Sequence, residues 1–412
     1  MKTPTSERLK IVVIGLRNSG KSFLINNIAE KNVAIVSDLA GTTTDPVAHT
    51  MELSDLGPVV FYDTAGLDDI GEIGKLRVEK SREKLDLADI VVFVTNSNKN
   101  IIELEKNYIE YILKNNKLLI IAFTFYQEEI AEDKKYLTSF PYVVVDNTSK
   151  KGILELKKKL IDFKDKVEQE AGPVEGIVFQ NQLILLVTPI DISAPKRRLI
   201  LPQVETLRDI LDKDASALVV KETQLEKLYK SIGREPDLVI TDSQVFHIVA
   251  KILPQKQPLT SFSILMARKK GELLPFLESI PKFFQIKDGS HILILELCNH
   301  HRQDGDIGTV KIPALFRKFI NANVKISITR EFPGSFEIKD ISAVIMCGGC
   351  MITRKQYTQN MKILMEHNIP ILNYGIFLAL VNNLLPRAIE VFPEIYEKFD
   401  YSFFKSCNLT NA

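Results

Sequence analysis

A phosphate-binding loop motif limits what this chain can fold into more than any other feature does. Residues Gly15 to Ser22 read Gly-Leu-Arg-Asn-Ser-Gly-Lys-Ser, follow the apolar run 11–14 and precede the amphipathic segment 23–29. The spacing G-x-x-x-x-G-K-[ST] in that context predicts a strand, a tight loop and a helix, because backbone N–H groups at a helix N-terminus cradle phosphate oxygens. Lys21 is expected to reach the β- and γ-phosphates, and the Ser22 hydroxyl to bind Mg²⁺. The nucleotide contacts expected in this loop come from Gly15, Asn18, Ser19, Gly20, Lys21 and Ser22.

Continuous hydrophobic runs recur along the first 170 residues. They lie at 11–14, 59–62, 90–94, 118–122 and 142–145, with longer amphipathic segments between them. Apolar runs without polar alternation are typical of strands buried on both faces of a largely parallel sheet. We therefore predict a doubly wound α/β P-loop domain over residues 1–170.

Two smaller α/β domains are expected after this one. A polar segment with Gly and Pro at 168–176 breaks the periodicity and marks the first boundary. The second domain is predicted over 177–268, with strands at 183–187, 217–220, 238–240 and 261–264. The third is predicted over 269–412, with strands at 292–297, 324–328, 343–346 and 369–372.

Composition narrows the cellular setting and the partners. The chain has 412 residues and 45% hydrophobic content, which is too much chain for one ordinary core. Its 53 Lys and Arg balance 52 Asp and Glu, so the chain as a whole has no electrostatic attraction to nucleic acid or anionic membrane. The 4 cysteines all lie in the last third, too few for a disulfide scaffold, and no apolar run approaches the roughly 18 residues of a membrane span. We predict a cytoplasmic protein.

Two further motifs support the nucleotide site. Residues 63–66 read Asp-Thr-Ala-Gly after the predicted strand at 59–62, which would place the Asp63 carboxylate near Mg²⁺ and the Gly66 N–H beside the γ-phosphate. Residues 41–45 read Gly-Thr-Thr-Thr-Asp in the intervening loop, where a switch threonine is expected. From the residues alone the switch threonine could be Thr42, Thr43 or Thr44.

These three motifs, in this order, resemble those of the TrmE and Era branch of GTPases, which read GxxNxGKS, GTTxD and DTAG. The resemblance implies that Thr43 is the switch threonine and that Ser22, Thr43 and Asp63 hold Mg²⁺. It also implies that Asn18 helps to hold K⁺, and it places Leu67 where Ras-like enzymes have a water-positioning glutamine. The catalytic residues it implies are Lys21, Thr43, Asp63 and Gly66.

The sequence departs from these GTPases at the guanine-specificity motif. That motif is usually Asn-Lys-x-Asp after the strand that here ends near Ala122, whereas this chain reads Phe123-Thr124-Phe125-Tyr126. An aspartate that accepts hydrogen bonds from N1 and N2 of the base distinguishes guanine from adenine. The later loop Asp146-Asn147-Thr148 only loosely resembles the usual Ser-Ala element. Nucleotide binding therefore follows from the residues, while GTP is expected from the resemblance.

The cysteines indicate a second kind of chemistry. Cys347 and Cys350 flank two glycines after the predicted strand 343–346, and Cys298 follows the predicted strand 292–297. Open α/β sheets place their sites at the C-terminal ends of strands, and a helix after Met351 would favour thiolate over thiol. Three thiolates fit a 4Fe-4S cluster with one iron open to another ligand. Zinc with His300 as a Cys3His site, a redox dithiol and buried inert cysteines are the alternatives.

The combination of domains and cysteines resembles the HydF family of FeFe-hydrogenase maturation GTPases over nearly the whole chain. That family has a GTPase, a dimerisation and a cluster-binding domain, and its cysteine pattern is Cys-x-His, a gap of about fifty residues, then commonly His-Cys-x-x-Cys. Cys298, His300, Cys347 and Cys350 match this pattern, and Met346 replaces the second histidine. An exchangeable fourth ligand is then expected, with His300, His301 and Glu296 as candidates, while Cys407 matches nothing in the pattern.

The resemblance implies a scaffold or carrier that holds a diiron precursor before its delivery to FeFe-hydrogenase. Its implied cofactors are GTP, Mg²⁺, K⁺ and a 4Fe-4S cluster. Its implied partners are a second copy of the chain, the hydrogenase and radical-SAM maturases, with nucleic acid and membrane excluded. The alternatives are an RNA-directed TrmE- or Era-type GTPase with a zinc-binding tail and a redox enzyme that uses the Cys347 and Cys350 dithiol.

Overall fold

Within the described residues, the apolar runs of the sequence form strands of three sheets. The computed structural model describes residues 8–30, 46–69, 71–126, 129–167, 171–189, 199–297, 307–320, 322–332 and 338–399. The chain divides into two units, Met1–Gln169 and Glu170–Ala412.

The first unit alternates strands and helices. Its strands are β1 (Leu9–Gly15), β2 (Val47–Leu53), β3 (Gly57–Asp63), β4 (Ile90–Asn96), β5 (Leu118–Thr124) and β6 (Tyr142–Val144). Its helices are α1 (Lys21–Ala29), α2 (Gly71–Leu87), α3 (Glu103–Lys114) and α4 (Ile153–Asp162). The described strands form one sheet in the order β2-β3-β1-β4-β5-β6, in which β2 is antiparallel to β3 and the other pairs are parallel. The predicted α/β class is therefore confirmed.

Helices cover both faces of this sheet, and this explains the continuous apolar runs. Ile11 and Val13 of β1 pack on the face that contacts α1 and α4, whereas Val12 and Ile14 pack on the face that contacts α2 and α3. Strand β2 was not predicted, because as the edge strand it alternates exposed and buried residues instead of forming an apolar run. The loop between β1 and α1 lies at the carboxyl edge of the sheet, where the phosphate motif was predicted.

The described strands of the second unit form two parallel sheets. The first has the order β10-β9-β7-β8 and the second β12-β11-β13-β14. Their strands are β7 (Leu183–Val187), β8 (Ser216–Val220), β9 (Leu238–Thr241), β10 (Leu259–Ser261), β11 (His291–Leu295), β12 (Lys325–Thr329), β13 (Ala343–Met346) and β14 (Ile371–Asn373). Their helices are α5 (Leu201–Asp212), α6 (Leu225–Ser231), α7 (Phe246–Ile252), α8 (Phe262–Lys270), α9 (Leu273–Phe283), α10 (Ile312–Ile320), α11 (Arg354–Glu366), α12 (Tyr374–Val381) and α13 (Pro393–Tyr396).

One strand assignment in this unit was wrong. Residues 261–264 were expected to be a strand, but β10 ends at Ser261 and α8 begins at Phe262. The Ser261 side chain accepts a hydrogen bond from the Ile264 backbone N–H, which is the N-terminal capping interaction of a helix. A short apolar run fits a buried helix as well as a strand, and the cap decides between them.

Helix α8 contacts a strand of each sheet of the second unit, β10 and β14. Its residues Ser263 and Ile264 lie so close to Gly375 of α12 that a Cβ there would be 2.8 and 2.9 Å from their atoms. The buried apolar residues of both sheets form one continuous cluster. The division of this unit near residue 269 stays a prediction. Among the helices of the described residues, none has the length and apolar character that crossing a bilayer demands.

Candidate functional site

The loop between β1 and α1 positions Lys21 at the first residue of the helix. The Lys21 ammonium donates to the carbonyl oxygens of Gly15 at 3.1 Å and Leu16 at 2.7 Å, and its side chain is buried. Burial lowers the pKa of Lys21 to about 8, although the nearby Asp63 carboxylate opposes this shift. A phosphate group at the N-terminus of α1 would supply the negative charge that stabilises a buried ammonium.

Ser22 and Asp63 meet beside this lysine. The Ser22 hydroxyl donates to Asp63 Oδ2 at 2.7 Å, and Asp63 Oδ1 is buried without a hydrogen-bond partner among the described residues. Burial raises the pKa of Asp63, while the bond from Ser22 and the charge of Lys21 oppose the shift. A hydroxyl and a carboxylate with an unsatisfied buried oxygen fit the oxygen ligands that Mg²⁺ prefers. The predicted third contributor, Thr43, lies outside the described residues.

The Asp-Thr-Ala-Gly segment passes very close to the phosphate loop. A Cβ on Gly66 would lie 2.2 Å from Arg17 Cγ and 2.8 Å from Arg17 N, so the approach requires glycine. The Leu67 backbone N–H donates to the Gly15 carbonyl at 3.2 Å, and the Leu67 side chain is buried. The structure therefore brings Gly66 to the loop that holds Lys21, as the motifs predicted, but their catalytic roles stay predictions.

Two polar side chains that sequence reasoning missed also hold the phosphate loop. The Thr124 hydroxyl at the end of β5 donates to the Ser19 carbonyl at 2.8 Å. The Asn147 side-chain amide, after β6, donates to the Gly20 carbonyl at 3.2 Å. These contacts span 105 and 127 residues of sequence, and the departure from Asn-Lys-x-Asp at Thr124 was the available signal for the first. The end of β5 and the loop after β6 thus form one side of the nucleotide site.

Asn18 and Ser19 occupy different environments in the loop. Asn18 is exposed and has a left-handed backbone with φ of 54°, so its side chain is accessible to a ligand. Ser19 is 4% exposed, and within the described part of the chain its buried hydroxyl oxygen has no hydrogen-bond partner. The predicted role of Asn18 in holding K⁺ stays a prediction.

The Cys347–Cys350 loop follows β13 in the second unit. Both cysteines are buried, at 7% and 5% exposure, and neither is in a disulfide. The Tyr357 hydroxyl of α11 donates to the Cys347 carbonyl at 3.1 Å. Gly349 has a left-handed φ of 62°, and a Cβ there would lie 2.4 Å from the Tyr357 ring. The loop is therefore shaped by a glycine packed against an aromatic ring.

The segment that leads to Cys298 approaches this loop. Strands β11 and β13 are parallel neighbours with Leu295 opposite Met346, and the Leu297 backbone N–H donates to Cys347 Sγ at 3.2 Å. Leu297 directly precedes Cys298 in the chain. A backbone N–H directed at sulfur is the kind of interaction that stabilises a metal-bound thiolate. Cys347 and Cys350, both buried and three positions apart in one loop, are therefore candidate donors for one side of an iron-sulfur or zinc site.

Three predicted ligands lie outside the described residues: Cys298, His300 and His301. Cys407, which was not predicted to be a ligand, also lies outside them. Within the described ranges, no group of three or more His, Cys, Asp or Glu side chains is arranged to hold a metal. Glu296 is described, 7% exposed, and its carboxylate lies 3.8 Å from Arg330 Nε. The complete ligand set stays a prediction.

Family models match three consecutive segments of the chain. Residues 10–125 match the model described as 50S ribosome-binding GTPase. Residues 174–271 match the Hydrogen maturase F dimerization domain, and residues 274–391 match the Hydrogen maturase F tetramerization domain. The first unit is thus a GTPase domain, and both sheets of the second unit fall in hydrogen maturase F domains.

Curated relatives match a shorter part of the chain. The tRNA modification GTPase MnmE of Clostridioides difficile (strain 630) is 32% identical over 157 residues, which are 37% of this chain and 34% of that protein. The MnmE of Staphylococcus epidermidis is 32% identical over 160 residues, covering 38% of this chain and 35% of that protein. The chain spans about a third of the length of these relatives.

Solved structures also resemble the chain in part. Era of Aquifex aeolicus bound to GDP·AlF4⁻ is 23% identical, with a TM-score of 0.34, and the match covers 39% of this chain and 57% of Era. The family models extend further, because they place a GTPase domain before both hydrogen maturase F domains. That order is the domain architecture of hydrogen maturase F, and the chain belongs to the HydF family.

Proposed function

We propose that this protein is a GTP-hydrolysing scaffold or carrier that holds an iron-sulfur cluster and a diiron precursor for delivery to FeFe-hydrogenase. The observation that carries the proposal is the contact between the Leu297 N–H and Cys347 Sγ at 3.2 Å. This contact brings Leu297, which directly precedes Cys298 in the sequence, to the Cys347–Cys350 loop, on a chain that also has a GTPase domain.

The first unit would bind and hydrolyse GTP to GDP and phosphate. Lys21 and the N–H groups of the loop bind the β- and γ-phosphates, and Ser22, Thr43 and Asp63 hold Mg²⁺. When bound there, Mg²⁺ would supply positive charge to offset the negative charge that develops on the phosphates. The Gly66 N–H would donate to the γ-phosphate, and water would attack the phosphorus in line with the bond to the leaving GDP oxygen, which breaks.

The position after Asp-Thr-Ala-Gly bears on how water is activated. Leu67 is apolar and 4% exposed, so it has no group that could orient the attacking water. Charge stabilisation would then come from Lys21 and from a K⁺ ion held by Asn18, as the family resemblance implies. Hydrolysis is expected to be slow and dependent on K⁺, as suits a switch.

The second unit would hold the cluster. Cys298, Cys347 and Cys350 would supply three thiolates, and the glycines between the last two allow the loop to wrap around the cluster. A bound 4Fe-4S cluster would offer one iron to an exchangeable ligand, for which Glu296, His300 and His301 are the candidates. The loop is buried and apolar around the sulfur atoms, which limits the access of water.

The matched dimerization and tetramerization domains support assembly with further copies of the chain. We expect a homodimer at least, with FeFe-hydrogenase and the radical-SAM maturases as cytoplasmic partners. The nucleotide state would change the segment around Thr43 and Asp63, and so would change the contacts with these partners.

Anaerobic reconstitution tests this proposal. Purified protein is incubated with iron and sulfide, and about four iron atoms per chain are expected, with the electron spin resonance signal of a reduced 4Fe-4S cluster. Cys298→Ser, Cys347→Ser and Cys350→Ser should each lose most of this iron, while Cys407→Ser is the matched control and should keep it. Stoichiometric zinc in anaerobically purified protein, or iron that survives Cys347→Ser, would contradict the proposal.

A tRNA-directed GTPase is the second candidate, because the curated relatives are tRNA modification GTPases. These relatives match only 37% and 38% of this chain, and its charge of 53 basic against 52 acidic residues offers nucleic acid little attraction. A tRNA mobility shift with GTP-loaded protein distinguishes the two functions. Tight tRNA binding by zinc-loaded protein would favour this candidate.

A further inference from the structure

An exposed phenylalanine with a strained backbone follows β5. Phe125 is 54% exposed and has a left-handed φ of 55°. A left-handed conformation is unfavourable for a bulky residue, and such residues concentrate at ligand-binding positions that the surrounding structure holds in place. The mechanism described above does not use this side chain.

Neighbouring polar groups hold Phe125 in this conformation. The Asn98 side-chain amide donates to the Phe125 carbonyl, and the Asn98 backbone N–H donates to Asn96 Oδ1 at 2.9 Å. The Ser97 N–H donates to the Thr124 carbonyl at 2.9 Å. Hydrogen bonds from the loop after β4 therefore hold the backbone carbonyl groups of both Thr124 and Phe125.

Thr124 connects this braced segment to the phosphate loop. Its hydroxyl donates to the Ser19 carbonyl at 2.8 Å, and its methyl carbon lies 3.5 Å from where a Gly20 Cβ would be. The Asn147 amide lies 2.7 Å from the same Gly20 position. Phe125 directly follows Thr124, so it lies at the end of the surface that Thr124 and Asn147 form along the phosphate loop.

The sheet order indicates which end of a nucleotide reaches Phe125. Asp63, at the Mg²⁺ end of the site, belongs to β3 on one side of β1, whereas β4, β5 and β6 lie on the other side. A nucleotide with its terminal phosphates at Lys21 therefore extends its nucleoside over the carboxyl ends of β5 and β6. The exposed aromatic ring lies in that direction.

We infer that Phe125 is a nucleobase-stacking residue whose ring packs against the purine of the bound nucleotide. The inference rests on the proposed nucleotide binding and adds the group that holds the base. The chain lacks Asn-Lys-x-Asp at this point, and the aromatic ring supplies affinity that this motif would otherwise provide. Stacking uses the π-face that every base has, so it adds affinity without reading hydrogen-bonding edges.

The first experiment compares a nucleotide with a ligand that has no base. Calorimetry measures GDP and inorganic tripolyphosphate binding to the full-length chain and to its Phe125→Ala variant. Loss of stacking should weaken GDP binding about 5- to 150-fold and leave tripolyphosphate binding unchanged. Phe125→Tyr should restore GDP affinity, and Tyr136→Ala, which removes another aromatic residue that is 49% exposed, is the matched control.

The second experiment uses tryptophan fluorescence, because the sequence contains no tryptophan of its own. Phe125→Trp introduces one fluorophore at the proposed stacking position, and Tyr136→Trp introduces one at the control position. GDP should change the emission of the first variant strongly and that of the second little, while tripolyphosphate should change neither.

The outcomes separate this inference from the proposed function. If wild-type protein binds GDP but Phe125→Ala binds it equally well, or loses GDP and tripolyphosphate to the same extent, Phe125 does not stack on the base and nucleotide binding stands. If wild-type protein binds neither ligand, the nucleotide switch itself is wrong. Selective loss of GDP binding together with the fluorescence response supports the stacking role.

Discussion

The phosphate loop and the cysteine loop both follow a parallel strand at its carboxyl end, but several side-chain hydrogen bonds hold the first, whereas close packing of glycines accompanies the side-chain hydrogen bond from Tyr357 in the second. The phosphate loop is tied by Lys21, Thr124 and Asn147, whose side chains donate to its carbonyl groups. In the cysteine loop, Gly349 packs against the Tyr357 ring, and a Cβ on Gly348 would lie 3.3 Å from Met266.

This difference matches the ligands proposed for the two loops. A triphosphate carries several negative charges, and it is bound best by polar groups whose positions are already fixed. Thiolates that share their charge with iron are stabilised by a site from which most water is excluded. A small number of N–H groups directed at the sulfur atoms is sufficient there. The contacts that hold each loop before any ligand binds therefore fit the chemistry of the ligand proposed for that loop.

The largest expected effect comes from removing the charge at the phosphate loop. Lys21→Ala should reduce GTP turnover by at least about 100-fold, because a buried cation that stabilises phosphate charge is lost. Iron binding after reconstitution should not change, since the cysteine loop has its own supports. Phosphate release and iron content are measured on the same preparation, with the exposed Lys114→Ala as control. A Lys21→Ala protein that also loses iron would show that the two sites are not independent.

The polar character of the first unit extends beneath its loop. Lys134 and Glu105 are each 1% exposed and lie 3.4 Å apart, and Lys134 donates to the Thr95 hydroxyl at 2.6 Å. Burial lowers the pKa of Lys134, although the Glu105 carboxylate opposes the shift. Thr95 also accepts, through its carbonyl, a hydrogen bond from Thr124 at 3.2 Å. The buried ion pair therefore supports the same residue that holds the phosphate loop.

Breaking this pair should destabilise the first unit. Lys134→Met leaves the Glu105 carboxylate buried without its partner, which costs about 3–5 kcal/mol of unfolding free energy. Urea unfolding followed by circular dichroism measures this loss. The double variant Glu105→Gln with Lys134→Met removes both charges and should recover part of the stability. Equal loss in the single and double variants would mean that packing, and not the unpaired charge, dominates.

The cysteine loop should depend on the absence of a side chain. Gly349→Ala places a methyl group at a left-handed φ of 62° and 2.4 Å from the Tyr357 ring, so the loop must shift or strain by about 1–3 kcal/mol. We expect a lower iron content and a lower Tm. Gly57→Ala is the matched control, because its φ is also left-handed at 83° but no atom of the described residues lies within 4 Å of the added methyl. If Gly349→Ala kept its full iron content, the shape of the loop would not determine metal binding.

Sequence patterns predicted the phosphate loop itself, but they did not predict the side chains at the end of β5 and after β6 that hold it. The residues from Gly15 to Ser22 are contiguous, and their spacing already specifies the strand, loop and helix that position Lys21. Thr124 and Asn147 reach this loop across 105 and 127 residues, so their roles depend on strand order, which no local pattern contains. The edge strand β2 and the start of α8 were missed because exposure and capping, instead of apolar runs, determine them.

The cysteine site was harder to predict because it depends on which strands are neighbours. Sequence reasoning placed Cys347 after a strand and expected Cys298 after another, and the predicted strands 292–297 and 343–346 overlap β11 and β13. Only the parallel pairing of β11 with β13 brings Leu297 to Cys347. A separation of 50 residues between these two contacting residues carries no information about that pairing.

The smallest expected effects come from removing a single hydroxyl group at each loop. Thr124→Val removes the donor to the Ser19 carbonyl, and Tyr357→Phe removes the donor to the Cys347 carbonyl, while both keep the side-chain shape. Each lost hydrogen bond costs about 1 kcal/mol, or roughly a fivefold change in an equilibrium constant. The two variants are therefore matched probes of the two loops.

Thr124→Val should weaken GDP binding about fivefold and leave the release of iron to a chelator unchanged. Tyr357→Phe should speed iron release and leave GDP binding unchanged, because the Tyr357 hydroxyl contacts the cysteine loop in the other unit. Calorimetry and chelator kinetics on both variants give four values, and only the two matched ones should move. If Tyr357→Phe left iron release unchanged, apolar packing alone would hold the cysteine loop, and the contrast with the hydrogen-bonded phosphate loop would become sharper. If either variant changed both GDP binding and iron release, the two loops would be energetically coupled. The independence of their supports would then be wrong.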